Sequence, residues 1–484
     1  MNNFWHIVWS GWQVLVVVLI IISIIVLLIQ RRDPVKTIAW IAIFLLIPFA
    51  GLVLFFFFGR SYRRKKLFFR KELSDFRQIE KHISWQNKHL IHNIFQNDED
   101  LVSKAGVVKL LFNNSKAQLT MHNEVQILIN GEETFPAIFD AIENAKHHIH
   151  LEYYIFEEGV LGNKLKELLI KKAVEGIEIR MIYDDVGSWG LSKEYLNQLK
   201  EVGIEVCAFL PVRFPRLAQR LNFRNHRKIV IVDGEIGFIG GLNIADRYLF
   251  GKADFGIWRD THLKIIGNAV NSLQLVFLTD WHFATEKLVT DDLYFPDIKI
   301  KNRCMVQVVT SGPDSDWNSI MQAYFYLIST AKRYIYISSP YFIPNESILT
   351  AIKTVSLSGV DVRIILPDKS DSKLTYYGSL SYLPELLEAD VSIYSYKKGF
   401  THSKVLIVDD IVSSVGTANM DLRSFDQNFE VNALVYNKDV ALKLKEIFIE
   451  DLKHCDKVIL EEYLAKPFVN HLAQGIARIF SPLL

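Results

Sequence analysis

Two short segments of this 484-residue chain carry the same side-chain types at the same spacing. The first reads His226-Arg-Lys228-Ile-Val-Ile-Val-Asp233, with Gly240, Gly241 and Asn243 behind it. The second reads His402-Ser-Lys404-Val-Leu-Ile-Val-Asp409, followed by Gly416, Thr417 and Asn419, and each matched position is offset by 176 residues. In an extended chain, side chains two apart share a face, so each motif presents an imidazole and an ammonium together. If the two copies pair about a pseudo-twofold axis, one site holds two imidazoles and two ammonium groups. That set suits a phosphodiester, because cations stabilise the charged phosphoryl oxygens while the imidazoles supply nucleophile and acid. Asn243, Asn419 and Thr417 add hydrogen-bond donors, and Gly241 is grouped with them as a point of close backbone approach. No metal or other cofactor is expected, since a lysine beside each histidine repels a cation.

The expected catalytic set is therefore His226, Lys228, Asp233, His402, Lys404 and Asp409. The two aspartates also have an architectural reading: each ends an apolar strand in Asp-Gly or Asp-Asp, a sequence that favours a turn. Further along, Trp258-Arg-Asp260-Thr-His262 and Asn428-Phe-Glu430-Val-Asn432 occupy matching places and offer one carboxylate each.

The elements that position these residues follow from periodicity. From Glu124 onward, β-branched and apolar runs of strand length alternate with amphipathic stretches of helix length, which predicts an α/β fold. Strands are expected at 149–156 and 177–184, and helices at 161–175 and 193–202. The pattern then restarts: Gly359-Val-Asp-Val-Arg363 echoes Gly176-Ile-Glu-Ile-Arg180. A repeat this long predicts two tandem domains rather than a solenoid. The boundaries are set at 1–59 for a transmembrane helical hairpin, 60–123 for a basic connector, and 124–298 and 299–484 for the two domains.

No charged residue occurs at 9–29 or at 37–59, so each stretch is long enough to cross a hydrocarbon core as a helix. Seven Arg and Lys residues follow at 60–71 before any acid, a bias that puts the rest of the chain in the cytoplasm and makes the protein a multi-pass protein of the cell membrane. A net charge of +1 excludes the bulk cationic field of a chromatin or ribosomal binder, and no nucleic-acid partner is expected. Cys207, Cys304 and Cys455 are scattered and odd in number, which supports neither a disulfide framework nor a zinc site. The segment 213–228 has five arginines, one lysine and no acid, and is either a strip for lipid phosphates or a solvated basic face. Phe468, Leu472, Ile476 and Phe480 recur at helical spacing and are expected to pack as core.

The paired H-x-K-x4-D motifs resemble those of the phospholipase D superfamily. The resemblance to the bacterial cardiolipin synthases is closer and runs along nearly the whole chain. It rests on Arg31-Arg-Asp-Pro34, Leu151-Glu-Tyr-Tyr-Ile155, Asn222-Phe-Arg-Asn-His-Arg-Lys228, Ser311-Gly-Pro-Asp314, Ser339-Pro-Tyr-Phe-Ile-Pro344 and Ser481-Pro-Leu-Leu484. It implies two phospholipase D-like α/β/α repeats behind two transmembrane helices. It also implies an enzyme that joins two phosphatidylglycerol molecules into cardiolipin and releases glycerol, with anionic phospholipids and the bilayer as partners and no metal or nucleotide. A membrane-bound phospholipase D that delivers the same intermediate to water remains the alternative. The resemblance further implies that Asp260 orients His226 and Glu430 orients His402, each within its own repeat. It makes His226 the nucleophile and His402 the acid and base.

Overall fold

The computed structural model describes residues 2–29, 34–58, 99–212, 223–298 and 300–481. The basic run at 60–71, most of the expected connector, and residues 213–222 of the basic strip lie outside the described residues. The N-terminal helices and the rest of the described chain form separate compact units.

In the first unit, helix Asn2–Ile29 contains one stretch, Gly11–Ile29, that is long and apolar enough to cross a membrane. The second apolar stretch departs from the expected single span. It forms two shorter helices, Pro34–Leu46 and Pro48–Phe58, with a bend at Ile47. Pro48 has no N–H to give to the preceding turn, which breaks the ladder there. The chain continues across the bend through Ile47 N–H to Ile43 O (2.9 Å) and Gly51 N–H to Ile47 O (2.6 Å). A Cβ on Gly51 would stand 3.1 Å from the Ile43 carbonyl oxygen, so a glycine eases this close turn. Leu27, Phe44 and Phe55 are buried together, with the Trp40 ring edge-on to Phe55 at 5.3 Å.

The second unit is built on strands. The first repeat supplies β1 (Leu119–Ile129), β2 (His148–Tyr153), β3 (Glu178–Asp184), β4 (Glu205–Phe209), β5 (Ile229–Val232), β6 (Ile236–Gly240), β7 (Ile257–Arg259) and β8 (Thr261–Gly267). The second supplies β9 (Cys304–Ser311), β10 (Tyr334–Ser338), β11 (Phe342–Ile343), β12 (Asp361–Pro367), β13 (Ser392–Tyr396), β14 (Gly399–Thr401), β15 (Val405–Val408), β16 (Val412–Gly416), β17 (Met420–Asp421), β18 (Glu430–Tyr436) and β19 (Cys455–Lys457).

Fifteen of these form one continuous sheet, ordered β19-β13-β12-β10-β15-β16-β18-β9-β1-β8-β6-β5-β2-β3-β4. Its centre is the antiparallel pair β1 and β9, with Leu119 opposite Gln307 and Thr120 opposite Val306. Outward from that pair, the strands of one repeat mirror those of the other. The duplication legible in the sequence thus becomes a pseudo-twofold within a single sheet. β5 (Ile-Val-Ile-Val) and β15 (Val-Leu-Ile-Val) are buried along their whole lengths, as suits strands covered on both faces. Helices Val160–Val174 and Lys193–Glu201 follow β2 and β3, the latter starting where the Ser192 side chain accepts from Tyr195 N–H. Among the described residues, each repeat builds an apolar core against the sheet, and Leu273, Phe277, Trp281, Leu444 and Phe448 of helices Ala269–Thr285 and Lys438–Leu452 are buried as well. The described end of the stretch read as a connector belongs to this architecture: helix Glu99–Ser115 packs on β9 and on helix Ser319–Ser329, and β1 begins at Leu119.

Candidate active site

Neither His-x-Lys tripeptide lies inside a strand. Each lies just ahead of β5 or β15, and the histidine and lysine of each still reach the same side. His226 and Lys228 line a cavity of about 840 Å³, together with His402 and Lys404. Arg227, between the first pair, turns away to pair with the Asp280 carboxylate and to donate to Glu430 O (3.3 Å). Each lysine folds back on its own histidine: Lys228 Nζ donates to His226 O (2.7 Å) and Lys404 Nζ to His402 O (2.6 Å). The two motifs therefore converge on one cavity at the junction of the repeats.

The carboxylates are exchanged between repeats, against the expectation that each serves its own. His402 Nδ1 stands 2.8 Å from Asp260 Oδ2, and His226 Nδ1 stands 3.1 Å from Glu430 Oε1. The backbone is the cause. β14 pairs in parallel with β7 across the junction, with Thr401 beside Arg259, so the next residues in each chain, His402 and Asp260, come together. His402 N–H donates to Arg259 O (2.7 Å). On the other side an isolated parallel bridge joins Asn225 to Phe429, and His226 N–H donates to Phe429 O (2.9 Å), which brings His226 beside Glu430. With Nδ1–H given to a carboxylate, each imidazole keeps its lone pair on Nε2.

Burial sets the protonation of this group. It holds His226 down at about 4, with Glu430 pulling the other way. It pushes His402 well below the ordinary histidine value, and the Lys404 and Lys228 cations add to that. Desolvation likewise lowers Lys228 to about 8 and Lys404 to about 7. Both imidazoles are thus neutral at pH 7.

Other expected site residues fall elsewhere. Asp233 lies outside the cavity lining and accepts from the backbone N–H groups of Lys146 (2.9 Å), His147 (2.7 Å) and His148 (3.0 Å). Asp409 does the same for Lys332 (2.9 Å), Arg333 (2.7 Å) and Tyr334 (3.2 Å). Both are left-handed turn residues, at φ 56° and 60°, so they tie the motif strands to the chain before β2 and β10 instead of facing a substrate. Thr417 is also withdrawn: it accepts from Val431 N–H (2.9 Å) and returns its hydroxyl to Val431 O (3.2 Å). At Gly241 a Cβ would meet the Asp260 carboxylate at 2.4 Å, so this glycine makes room for an orienting acid. Asn243 and Asn419 do line the cavity, and Asn243 is anchored by Ile155 N–H (3.0 Å) and the Tyr248 hydroxyl (2.6 Å).

The cavity also presents residues that the motifs did not single out, among them Arg247, Arg423, Tyr154, Trp258 and Asn428. Arg247 and Arg423 keep the 176-residue offset of the motifs, a signal present in the sequence. Among the described residues, no group of three or more His, Cys, Asp or Glu side chains is arranged to hold a metal ion.

A sheet of two mirrored repeats with one H-x-K motif from each defines a phospholipase D-like protein, and comparison with known proteins narrows this. The family described as "Cardiolipin synthase, PLD-like domain" matches residues 138–281 and 324–452, and the phospholipase D-nuclease N-terminal family matches 18–60. The chain is 43% identical to a cardiolipin synthase of Geobacillus thermodenitrificans, covering 99% of this chain and 96% of that one. It is 41% identical to the major cardiolipin synthase of Bacillus subtilis, covering 94% and 95% respectively. In fold it resembles a phosphatidylserine synthase of Haemophilus influenzae, with a TM-score of 0.61 at 15% identity over 79% of this chain and all of the other. The chain belongs to the cardiolipin synthase family of phospholipase D-like proteins.

Proposed function

We propose that this protein is a cardiolipin synthase that transfers a phosphatidyl group from one phosphatidylglycerol to another. The observation that carries the reading is the pair of histidines in one cavity, each with Nδ1 on a carboxylate and each beside a buried lysine. His226 Nε2 attacks phosphorus, and the bond to the glycerol oxygen breaks as His402 gives that oxygen its proton. The phosphatidyl group is then held on His226. A second phosphatidylglycerol enters, His402 takes the proton of its glycerol hydroxyl, and the resulting oxygen attacks phosphorus to release cardiolipin and restore His226. Lys228, Lys404, Asn243 and Asn419 hold the phosphoryl oxygens. A phosphodiester anion in this cavity raises the depressed affinities of the lysines and of His402 for protons. Substrate binding therefore charges the acid that the first step needs.

Asp260 and Glu430 act as positioning residues for His402 and His226, and Asp233 and Asp409 as structural ties. The repeats expected at 124–298 and 299–484, the first extended back to the start of β1 at Leu119, are the two halves of one catalytic domain. Residues 34–58 form a second membrane span bent at Pro48, which together with Gly11–Ile29 leaves the catalytic domain in the cytoplasm. A reporter fused at the C-terminus is expected to be cytoplasmic, and activity outside the cell membrane would overturn this topology.

The deciding assay is purified full-length protein with headgroup-labelled phosphatidylglycerol. Cardiolipin with glycerol is the expected product pair. Phosphatidic acid with glycerol would make the protein a phospholipase D instead.

A further inference from the structure

Helix Phe468–Ile479 is amphipathic, and its apolar face points outward. Phe468 and Ile479 are each 76% exposed, Leu472 is 51% and Ile476 is 49%, whereas Gln474 and Ala477 are its buried side chains. The expectation that this apolar stripe packs as core is therefore overturned. Polar contacts hold the inward side. Arg478 Nη1 donates to Ser381 O (3.0 Å), Nη2 donates to Glu385 Oε1 (2.7 Å), and the guanidinium lies 4.4 Å from the Tyr382 ring centroid. Ser481 Oγ is 3.2 Å from the Tyr382 hydroxyl. A surface helix ordinarily faces the other way, so an apolar stripe held outward by polar bonds on the opposite side marks an interaction surface.

The helix packs on helix Lys373–Leu380, whose N-terminal end forms part of the cavity wall through Asp371, Ser372 and Thr375. Three observations identify the occupant. No acid occurs from Lys466 to the end of the sequence, and with Arg478 already paired to Glu385 the cation that this stretch offers an anionic surface is Lys466. The same chain carries Gly11–Ile29, apolar enough to cross a membrane, so a bilayer is present at high effective concentration. The most exposed side chains of the helix, Phe468, Val469, Leu472, Ile476 and Ile479, are all large and apolar, the composition of a helix face that lies in a lipid interface.

We propose that helix Phe468–Ile479 lies in the headgroup region of an anionic bilayer and holds the cavity wall against it. Its further purpose, to let a phosphodiester enter the cavity while the acyl chains stay in the membrane, rests on the phosphatidyl-transfer reading above.

Two measurements on the full chain test this. First, a photo-cross-linking benzoylphenylalanine is placed at Leu472, and the protein is irradiated in nanodiscs of phosphatidylglycerol and phosphatidylcholine. A lipid adduct is expected. An adduct to a second copy of the chain would make the face a dimer interface and overturn the proposal, as would the absence of any adduct. Second, the Leu472→Glu, Ile476→Glu double variant is compared with the parent on two substrates. Turnover of bilayer phosphatidylglycerol is expected to fall roughly tenfold or more, because two charges must enter the interface. Turnover of short-chain phosphatidylglycerol below its micelle concentration should stay within about twofold, since the cavity is untouched. Equal losses on both substrates would overturn the proposal. If the parent turns over neither substrate, the functional reading fails, and the cross-link still decides the fate of the helix.

Discussion

His226 and His402 descend from one repeated motif, yet their surroundings differ. His226 lies against the Tyr154 ring at 4.1 Å between centroids and has the Asn428 amide 3.2 Å from Nδ1. His402 is boxed by the rings of Tyr248, Phe400 and Trp258 at 5.8, 6.0 and 6.2 Å. The matching arginines differ too. Arg247 Nη1 donates to both carboxylate oxygens of Glu157 at 2.8 Å, whereas Arg423 Nε donates to the neutral Asn428 amide oxygen at 3.3 Å. Among the described residues no carboxylate pairs with Arg423, so its charge remains directed to the cavity. One half is thus polar and cationic and the other is aromatic. The difference supports a division of labour in which the His226 half holds the phosphoryl group and the aromatic half manages the proton, because a desolvated imidazole responds most strongly to an arriving anion.

The largest effect should come from the imidazoles themselves. His226→Ala and His402→Ala are each expected to lower turnover by about 10³-fold or more, since both steps need both groups. Rapid acid quench and mass spectrometry should find the phosphatidyl group on the peptide bearing His226. Label on the peptide bearing His402 would reverse the assignment of the halves.

Next are the exchanged carboxylates, where Asp260→Asn and Glu430→Gln should each reduce kcat by about 10²-fold through loss of imidazole orientation. The crossing makes a sharper claim. Glu430 holds the His226 proton affinity up, so Glu430→Gln should lower the pKa of His226 and leave that of His402 nearly unchanged, as read by nitrogen-15 NMR of labelled histidines. A shift at His402 instead would restore the pairing within each repeat.

The arginines should separate by about tenfold in KM. Arg423→Ala is expected to weaken phosphatidylglycerol binding by roughly that factor, while Arg247→Ala, already neutralised by Glu157, should change it little. Similar KM values in the two variants would erase the proposed polar half.

The smallest effect concerns stability in acid. His262 of the first half is fully buried, and both its ring nitrogens lack a hydrogen-bond partner among the described residues. The matching Asn432 is bonded at both ends, to the Thr417 and Ala418 N–H groups (3.2 Å each) and to the Tyr324 and Ser414 hydroxyls (2.8 and 3.0 Å). Burial holds His262 at about 4, below its unfolded value near 6.5. Its neutral form therefore supports the fold above pH 6.5, and that support is lost as pH falls towards 4, by up to about 3 kcal/mol. Thermal melts of His262→Asn should show a shallower loss over that window, and an unchanged acid profile would remove His262 from the account.

Local spacing carried much of this protein. The two motifs, their constant offset, the α/β alternation and the elements at 161–175 and 193–202 were legible because each depends on residues near one another in the chain. The bend at Pro48 was also written there, since a proline inside an apolar run removes a donor wherever it falls. Arg247 and Arg423 stood at the motif offset as well. The turn roles of Asp233 and Asp409 were half legible from Asp-Gly and Asp-Asp.

Two features were decided by tertiary structure alone. The first is which carboxylate serves which histidine. A carboxylate about 30 residues after a motif histidine and one 142 or 204 residues away look alike in sequence, and only the β7–β14 pairing and the Asn225–Phe429 bridge select between them. The second is which way the last helix turns. Periodicity at Phe468, Leu472, Ile476 and Phe480 gives a stripe but no direction, and the direction comes from Arg478 finding Glu385 and Ser381 on another helix and its flanking turn. Spacing along a chain encodes which side chains share a face, whereas the surface that face meets depends on contacts between residues far apart in sequence.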